Sequence, residues 1–383
     1  MSKPVCLLHL GQPKTGTTSI QQSLFWGLED PRFRLVSLDC EFGNTVVDCA
    51  FQDRLEDRHT FFINSIPRQR LSLMAARSRD YLDRALRAAG RAGVTPVISA
   101  EIAFWKEAAP AENLQRFVTE RGFEPRIICY LRPYFDRLES RMQQAVRIVR
   151  RPWDHLKRMH AEFSEPVVLS NFDRIFGREQ VDVFLFDPKS FPERCVVRHF
   201  CQATGIPLDP GRIVRSNESL NRNAMRFLFV FNRQAPPGGG YSRTWLRFRQ
   251  SVLVQALSTL PGAPFRLHPS VHELSRPLLE PHLPWLEERL GQPFPLTLAR
   301  RLPDDGIREE RQLLDFDRAA LDWLADRTGS RPITASSGAE AEQQVVQQLN
   351  RLVRQSWRDG LSLARDRGWL LWQRRRLRQQ ILR

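Results

Sequence analysis

The feature that most limits the folds open to this chain is the stretch LLHLGQPKTGTTSIQQSL, Leu7 to Leu24. An apolar run, Val5 to Leu10, has the length of one buried strand and meets a turn punctuated by Gly11, Pro13 and Gly16. A helix opens directly afterwards at Thr17-Thr18-Ser19. Strand, glycine turn and helix in that order begin a βαβ unit, and the helix N-terminus offers backbone amides to an anion. The loop that binds nucleoside triphosphates reads G-x-x-x-x-G-K-[ST]. Gly11 and Gly16 keep that spacing, but Thr17 stands where the lysine belongs and Lys14 lies inside the loop. The competing reading is an ordinary glycine turn.

The following 180 residues alternate strand-like and helix-like segments, the pattern of an α/β fold with a parallel sheet. Strands are expected at Arg34–Leu38, Pro96–Ser99, Arg126–Leu131 and Val181–Phe186. Helices are expected at Thr18–Gly27, at Arg68–Ala92, where Leu71, Met74, Leu82, Leu86 and Ala89 recur at helical spacing, and from Tyr134 onward. The second half reads as more helical: Arg194–Thr204, Asn221–Phe231, Trp245–Ser258 and Ser270–Leu290, with a loop at Pro236–Gly240. The fold class expected is α/β, a central parallel sheet flanked by helices, in one domain over 1–327. A linker is expected at 328–340, then a basic amphipathic helical tail at 341–383 with Val346, Leu349, Val353 and Trp357 on one face. No internal repeat is visible.

A formal net charge of +15 points to an anionic ligand or surface. Lysine occurs only at 3, 14, 106, 157 and 189, and every other basic residue is arginine, the pattern a GC-rich codon bias would leave. The six cysteines form no C-x-x-C pair and no metal-ligand spacing, so neither zinc nor disulfides are expected. The first apolar run is too short for a signal peptide or membrane span, which points to a cytoplasmic, soluble protein.

With Lys14 moved into the loop, its charge can reach the end of a donor shorter than a triphosphate and stabilise a leaving oxygen without a metal. The segment LHLGQPKTGTTS resembles the phosphosulfate-binding loop of sulfotransferases, whose donor is 3′-phosphoadenosine 5′-phosphosulfate (PAPS) and whose product is the 3′,5′-bisphosphate, PAP. That family carries a second motif, a strand ending in arginine followed by a helix with a serine eight positions on. YLRPYFDRLES supplies it with Arg132 and Ser140. The resemblance covers roughly residues 5–295. It implies that Lys14 contacts the phosphosulfate, that Thr15, Gly16, Thr17, Thr18 and Ser19 hold the 5′-phosphate, and that Arg132 and Ser140 hold the 3′-phosphate. An arginine fork suits a phosphate dianion. RSNESLN, Arg215 to Asn221, resembles a further segment of bacterial members, while the late Arg-Lys-Gly donor motif of the cytosolic enzymes has no close copy.

A base is needed to take the acceptor's proton. Glu101 follows the PVISA strand, where the ends of an open parallel sheet form a ligand crevice, and the resemblance includes members that use a glutamate. A structural ion pair competes with that role. His9 is the second candidate base and His59 the third. Asp187, after the apolar run DVFLF, raises a different reading, a Mg-ATP-dependent kinase or phosphotransferase in which this aspartate holds the metal. A non-catalytic polyanion-binding protein is a third class. The acceptor is unassigned, with glycan, lipid and small metabolite all compatible. Arg141, Arg147, Arg150, Arg151, Lys157 and Arg158 form either a solvated helix face or a funnel for an acidic substrate. Arg374-Arg375-Arg376 beside Trp369 and Trp372 suits an anionic membrane surface or packing on the body or on a second subunit. No groove-reading motif for nucleic acid is present.

Overall fold

The computed structural model describes residues 3–37, 43–52, 55, 68–101, 105–148, 152–215, 220–234, 252–299 and 304–359. Five strands form one all-parallel sheet: β1 Val5–His9, β2 Phe33–Leu35, β3 Thr95–Ser99, β4 Glu124–Leu131 and β5 Val181–Leu185. Their order is β2-β3-β1-β4-β5. The chain leaves β1 to one side and later returns to its other side. The loop after β1 therefore sits at the point where strand order reverses, where open α/β sheets place their ligand crevice. In register, Leu8 lies opposite Ile98 on β3 and Ile127 on β4.

Parallel strands covered on both faces are apolar on both faces, which explains the unbroken apolar runs of the sequence. Cys6, Leu8 and Leu10 join Ile98, Ile127 and Cys129 in a core with α3 Leu71–Ala92, α4 Ala108–Thr119 and α7 Glu165–Phe176. Leu7 joins Val97, Ile128 and Tyr130 on the opposite face, beneath α1 Thr17–Gly27 and α8 Val196–Thr204. The short helix α2 Gly43–Phe51 packs on α3. Left out of the sequence reading were α2, α4 and α7.

A second core, mostly helical, is built on α5 Tyr134–Ile148. Tyr134, Leu138 and Met142 pack there with α6 Pro152–Met159, α9 Arg222–Arg233, the short helix α10 over 252–257, and α14 Arg318–Thr328. The single helix expected over Ser270–Leu290 is instead α11 Pro269–Glu273, α12 Arg276–Leu279, a 3₁₀ turn and α13 Leu283–Leu290. Pro277, Pro281 and Pro284 each lack an N–H donor and interrupt the ladder. The basic run after Ser140 likewise divides between α5 and α6.

The segment expected to be a linker is part of the body, because Thr328 and Ile333 are buried. Helix α15 Ala339–Asp359 lays Ala341, Val345, Leu349 and Leu352 into the helical core against α9 and α14. The first half of the expected tail thus packs on the body, and its apolar stripe has enough buried surface to hold it there. Leu349 is wholly buried, so Leu349→Ala is expected to lower unfolding free energy by about 2–5 kcal/mol in urea titration. Loss of less than about half a kcal/mol would mean that α15 is undocked. His59, Arg150, Arg151, the 236–240 loop, residues 216–219 and the basic end with Trp369, Trp372 and Arg374–Arg376 lie outside the described residues. Among the described residues no helix is long and apolar enough to cross a membrane.

Candidate functional site

The loop runs from Gly11 to Gly16, and both ends are backbone problems solved by glycine. Gly16 has φ 80° and begins α1 with no side-chain cap; a Cβ there would stand 2.7 Å from Val196 Cγ1. A Cβ on Gly11 would meet His9 Nε2 and Thr17 Oγ1, each at 3.2 Å. Lys14 is the residue that breaks the rule. It holds φ 75° despite its side chain, a left-handed conformation that costs an ordinary residue about 1–2 kcal/mol. Such strain persists only where neighbours fix it.

Two neighbours do so. The ladder between β1 and β3 continues past the strands, with Ala100 N–H donating to the His9 carbonyl at 2.8 Å. That brings Glu101 level with the loop, where its carboxylate accepts the Lys14 backbone N–H and lies close to the Lys14 charge. From the other side, Arg132 Nη1 donates to the Lys14 carbonyl at 3.0 Å. Lys14, Glu101 and Arg132, 118 residues apart at the extremes, meet around one peptide unit. Burial raises the pKa of Glu101 above the ordinary glutamate range, partly offset by the Lys14 charge and by that backbone hydrogen bond.

The other residues expected to hold phosphate lie in the loop, on α1 and α5 and at the end of β4. The first hydrogen bond of α1 runs from Ile20 N–H to the Gly16 carbonyl, which leaves the amides ahead of Ile20 without intrahelical acceptors. Thr17 Oγ1 is buried and finds no partner among the described residues, while Thr18 is half-buried and Ser19 buried in the same turn. Thr15 differs from the expected role: its hydroxyl donates to the Gln12 carbonyl at 2.6 Å and shapes the loop from within. Among the described residues, Arg132 uses Nη1 on Lys14 and stacks at 5.8 Å over the Phe186 ring, with the rest of its fork unpaired by protein. Burial lowers its pKa, while Asp136 and Glu139 act to hold its charge. Ser140 is half-buried two helical turns along α5.

Other candidates fall away from the crevice. His9 is wholly buried beneath the loop, its Nδ1 2.8 Å from Ser99 Oγ and its ring 5.3 Å from that of Phe200. Burial lowers its pKa to about 3, so it is neutral at physiological pH and closed off from an acceptor. Asp187 ends the edge strand β5, two strands from β1, and its carboxylate accepts the Lys189 N–H at 2.9 Å as a turn cap. Among the described residues no cluster of three His, Cys, Asp or Glu side chains has the arrangement of a metal site.

Sequence reading missed three residues behind the loop. Gln12 is 1% exposed; its Oε1 accepts the Arg132 backbone N–H at 2.8 Å and its Nε2 donates to Glu165 Oε1 at 2.5 Å. Glu165 in turn pairs with Arg137 at 2.8 Å, both side chains being buried. Gln12 was visible inside the loop motif, but nothing local links it to a glutamate 153 positions away.

No family model, curated protein or solved structure matches the chain. What the site can do rests on its own residues.

Proposed function

We propose that the protein is a sulfotransferase that moves a sulfuryl group from PAPS to an acceptor hydroxyl or amine, without a metal. The observation that carries this is the meeting of Lys14, Glu101 and the Arg132 fork around one loop at the strand-order reversal. The donor supplies an activated sulfur–oxygen bond to phosphate. The chain supplies the rest. The α1 amides and the Thr17 hydroxyl hold the 5′-phosphate, and Arg132 with Ser140 holds the 3′-phosphate. Glu101 takes the acceptor's proton as the acceptor oxygen bonds to sulfur. Lys14 stabilises the charge that collects on the departing phosphate oxygen as the sulfur–oxygen bond breaks.

The residues fit this donor in a testable way. Thr17 Oγ1 is a buried hydroxyl lacking a partner among the described residues, a costly arrangement that a phosphate oxygen would relieve. The unpaired part of the Arg132 fork is likewise suited to a dianion. The kinase reading needs a lysine at position 17 and a carboxylate at Asp187 turned to the metal, and the sequence has threonine at 17 while Asp187 caps its own turn. The acceptor class stays with glycan, lipid or small metabolite.

Thermal unfolding with PAP, against ADP and ATP with Mg²⁺, tests the proposal. PAP at a hundred times its dissociation constant is expected to stabilise the protein by about 2.7 kcal/mol, seen as a rise in Tm. Arg132→Ala should weaken that shift. A shift seen only with Mg-ATP would replace the sulfotransferase reading with a kinase.

A further inference from the structure

We propose that Gln12, seated on the buried Glu165–Arg137 pair, is a positioning residue that sets the separation between the 5′-phosphate loop and the 3′-phosphate arginine. The inference rests on the sulfotransferase reading and assigns a role that the donor contacts themselves do not contain.

The two phosphates of PAP are joined through one ribose, so their separation is a property of the ligand. A site gains from holding both only if its two halves already stand at that separation; a small misplacement forfeits the gain. In this chain the halves belong to different elements. One is the loop between β1 and α1; the other is Arg132, at the junction of β4 and α5. Gln12 is in the loop, and its side-chain oxygen takes the backbone N–H of Arg132 itself. It fixes where the backbone of Arg132 lies, whereas the Arg132 Nη1 contact to Lys14 fixes only where the guanidinium reaches.

Gln12 is itself held. A glutamine side chain can rotate its amide or turn away, but Nε2 is tied to Glu165 Oε1, at the start of α7. That oxygen also pairs with Arg137 Nη2, which comes from α5 five residues beyond Arg132. The path therefore closes on itself: loop, Glu165, Arg137, α5, Arg132 and back to the loop. A buried ion pair is on average no better for stability than apolar residues of the same shape, because desolvation cancels its attraction. Placing one here is explained by what it orients. Arg137 also lies 4.9 Å from the Tyr134 ring centroid, which restrains the guanidinium from its other side.

Within the loop, Thr15 is bonded to the Gln12 backbone carbonyl, a contact that does not involve the Gln12 side chain. This separates positioning from folding. Gln12→Met keeps the volume and removes both hydrogen bonds; Glu165→Gln keeps an acceptor and removes the charge. Calorimetric titration of the full chain with PAP and with adenosine 5′-monophosphate, which reaches only the loop, gives the preference for the second phosphate. In Gln12→Met that preference is expected to fall about tenfold or more, with the monophosphate affinity unchanged. Glu165→Gln should move it in the same direction by less, and it decides the matter if the first variant does not fold. Wild-type preference retained in both variants, or an equal loss for both ligands, would overturn the positioning role alone. A wild-type protein with no preference for PAP over the monophosphate would overturn the sulfotransferase reading and this inference with it.

Discussion

Glu101→Gln is expected to lower kcat by about 10²–10⁴-fold while raising the melting temperature. The activity loss follows from removing the proton acceptor while keeping its shape, including an oxygen for the Lys14 N–H. The gain in stability follows from the direction of its pKa. Burial, the largest influence, raises the folded pKa above the unfolded one, so the ionised form is the less favoured in the fold. A raised pKa gives a contribution that is complete below the unfolded value and is lost as pH rises through the folded one. As pH rises the wild type therefore comes to carry a desolvated negative charge that the variant lacks. The Tm difference should widen from acid pH toward neutral pH. In the wild type the acid limb of kcat/KM should lie above the ordinary glutamate pKa of about 4.3. His9 does not blur that limb, because its own pKa is near 3. An unchanged kcat in Glu101→Gln, measured with any accepted acceptor, would remove Glu101 from the mechanism.

Lys14→Gly is expected to lose about 10²–10³-fold in kcat, the usual effect of deleting one charge stabiliser for a leaving oxygen. Its affinity for PAP should change far less, because PAP lacks the sulfuryl group and the α1 amides and Arg132 remain. Glycine is the informative replacement. Lys14 sits at φ 75°, and relief of about 1–2 kcal/mol of left-handed strain exceeds the roughly 0.5–1 kcal/mol of extra chain entropy that glycine brings. Loss of the positive charge beside Glu101 works the other way, so the net Tm is expected near that of wild type. The same loss raises the Glu101 pKa further, and the acid limb of the residual activity should move to higher pH. A Lys14→Gly protein with wild-type kcat would leave the loop as a binding element only. Glu101 and Lys14 share one pattern: each is held in a state that the isolated residue disfavours, as expected where stability is traded for function.

Much of the sheet was legible because its strands are covered on both faces. LLHL, PVIS and IICYL read as apolar runs bounded by glycine, proline or charge, and each is a strand. Glu101 and Arg132 closely follow strand ends and Lys14 lies in the loop after β1, so local sequence alone places all three along one edge of the sheet. The helical half was less so. Its prolines at 277, 281 and 284 fall within an otherwise periodic segment, and the break they cause shows only in backbone hydrogen bonding. The boundary at 328–340 misled for another reason: a polar composition looks like a linker even when Thr328 and Ile333 are buried within it. Gln12 and Glu165 were out of reach, since pairing across 153 residues leaves no local trace.

Helix α5 belongs to both halves of the molecule. Arg132 stands just before its start and Arg137 and Ser140 lie in its first turns, while Leu138, Met142 and Val146 are embedded with α9 and α15 in the helical core. Leu228 and Leu349, neither of which is among the proposed donor contacts, share the helical core with this helix, and in a close-packed core a volume change at either is expected to be felt along it. Variation in the helical half is thus expected to tune affinity for the proposed donor in small steps, while the loop and its lysine stay untouched.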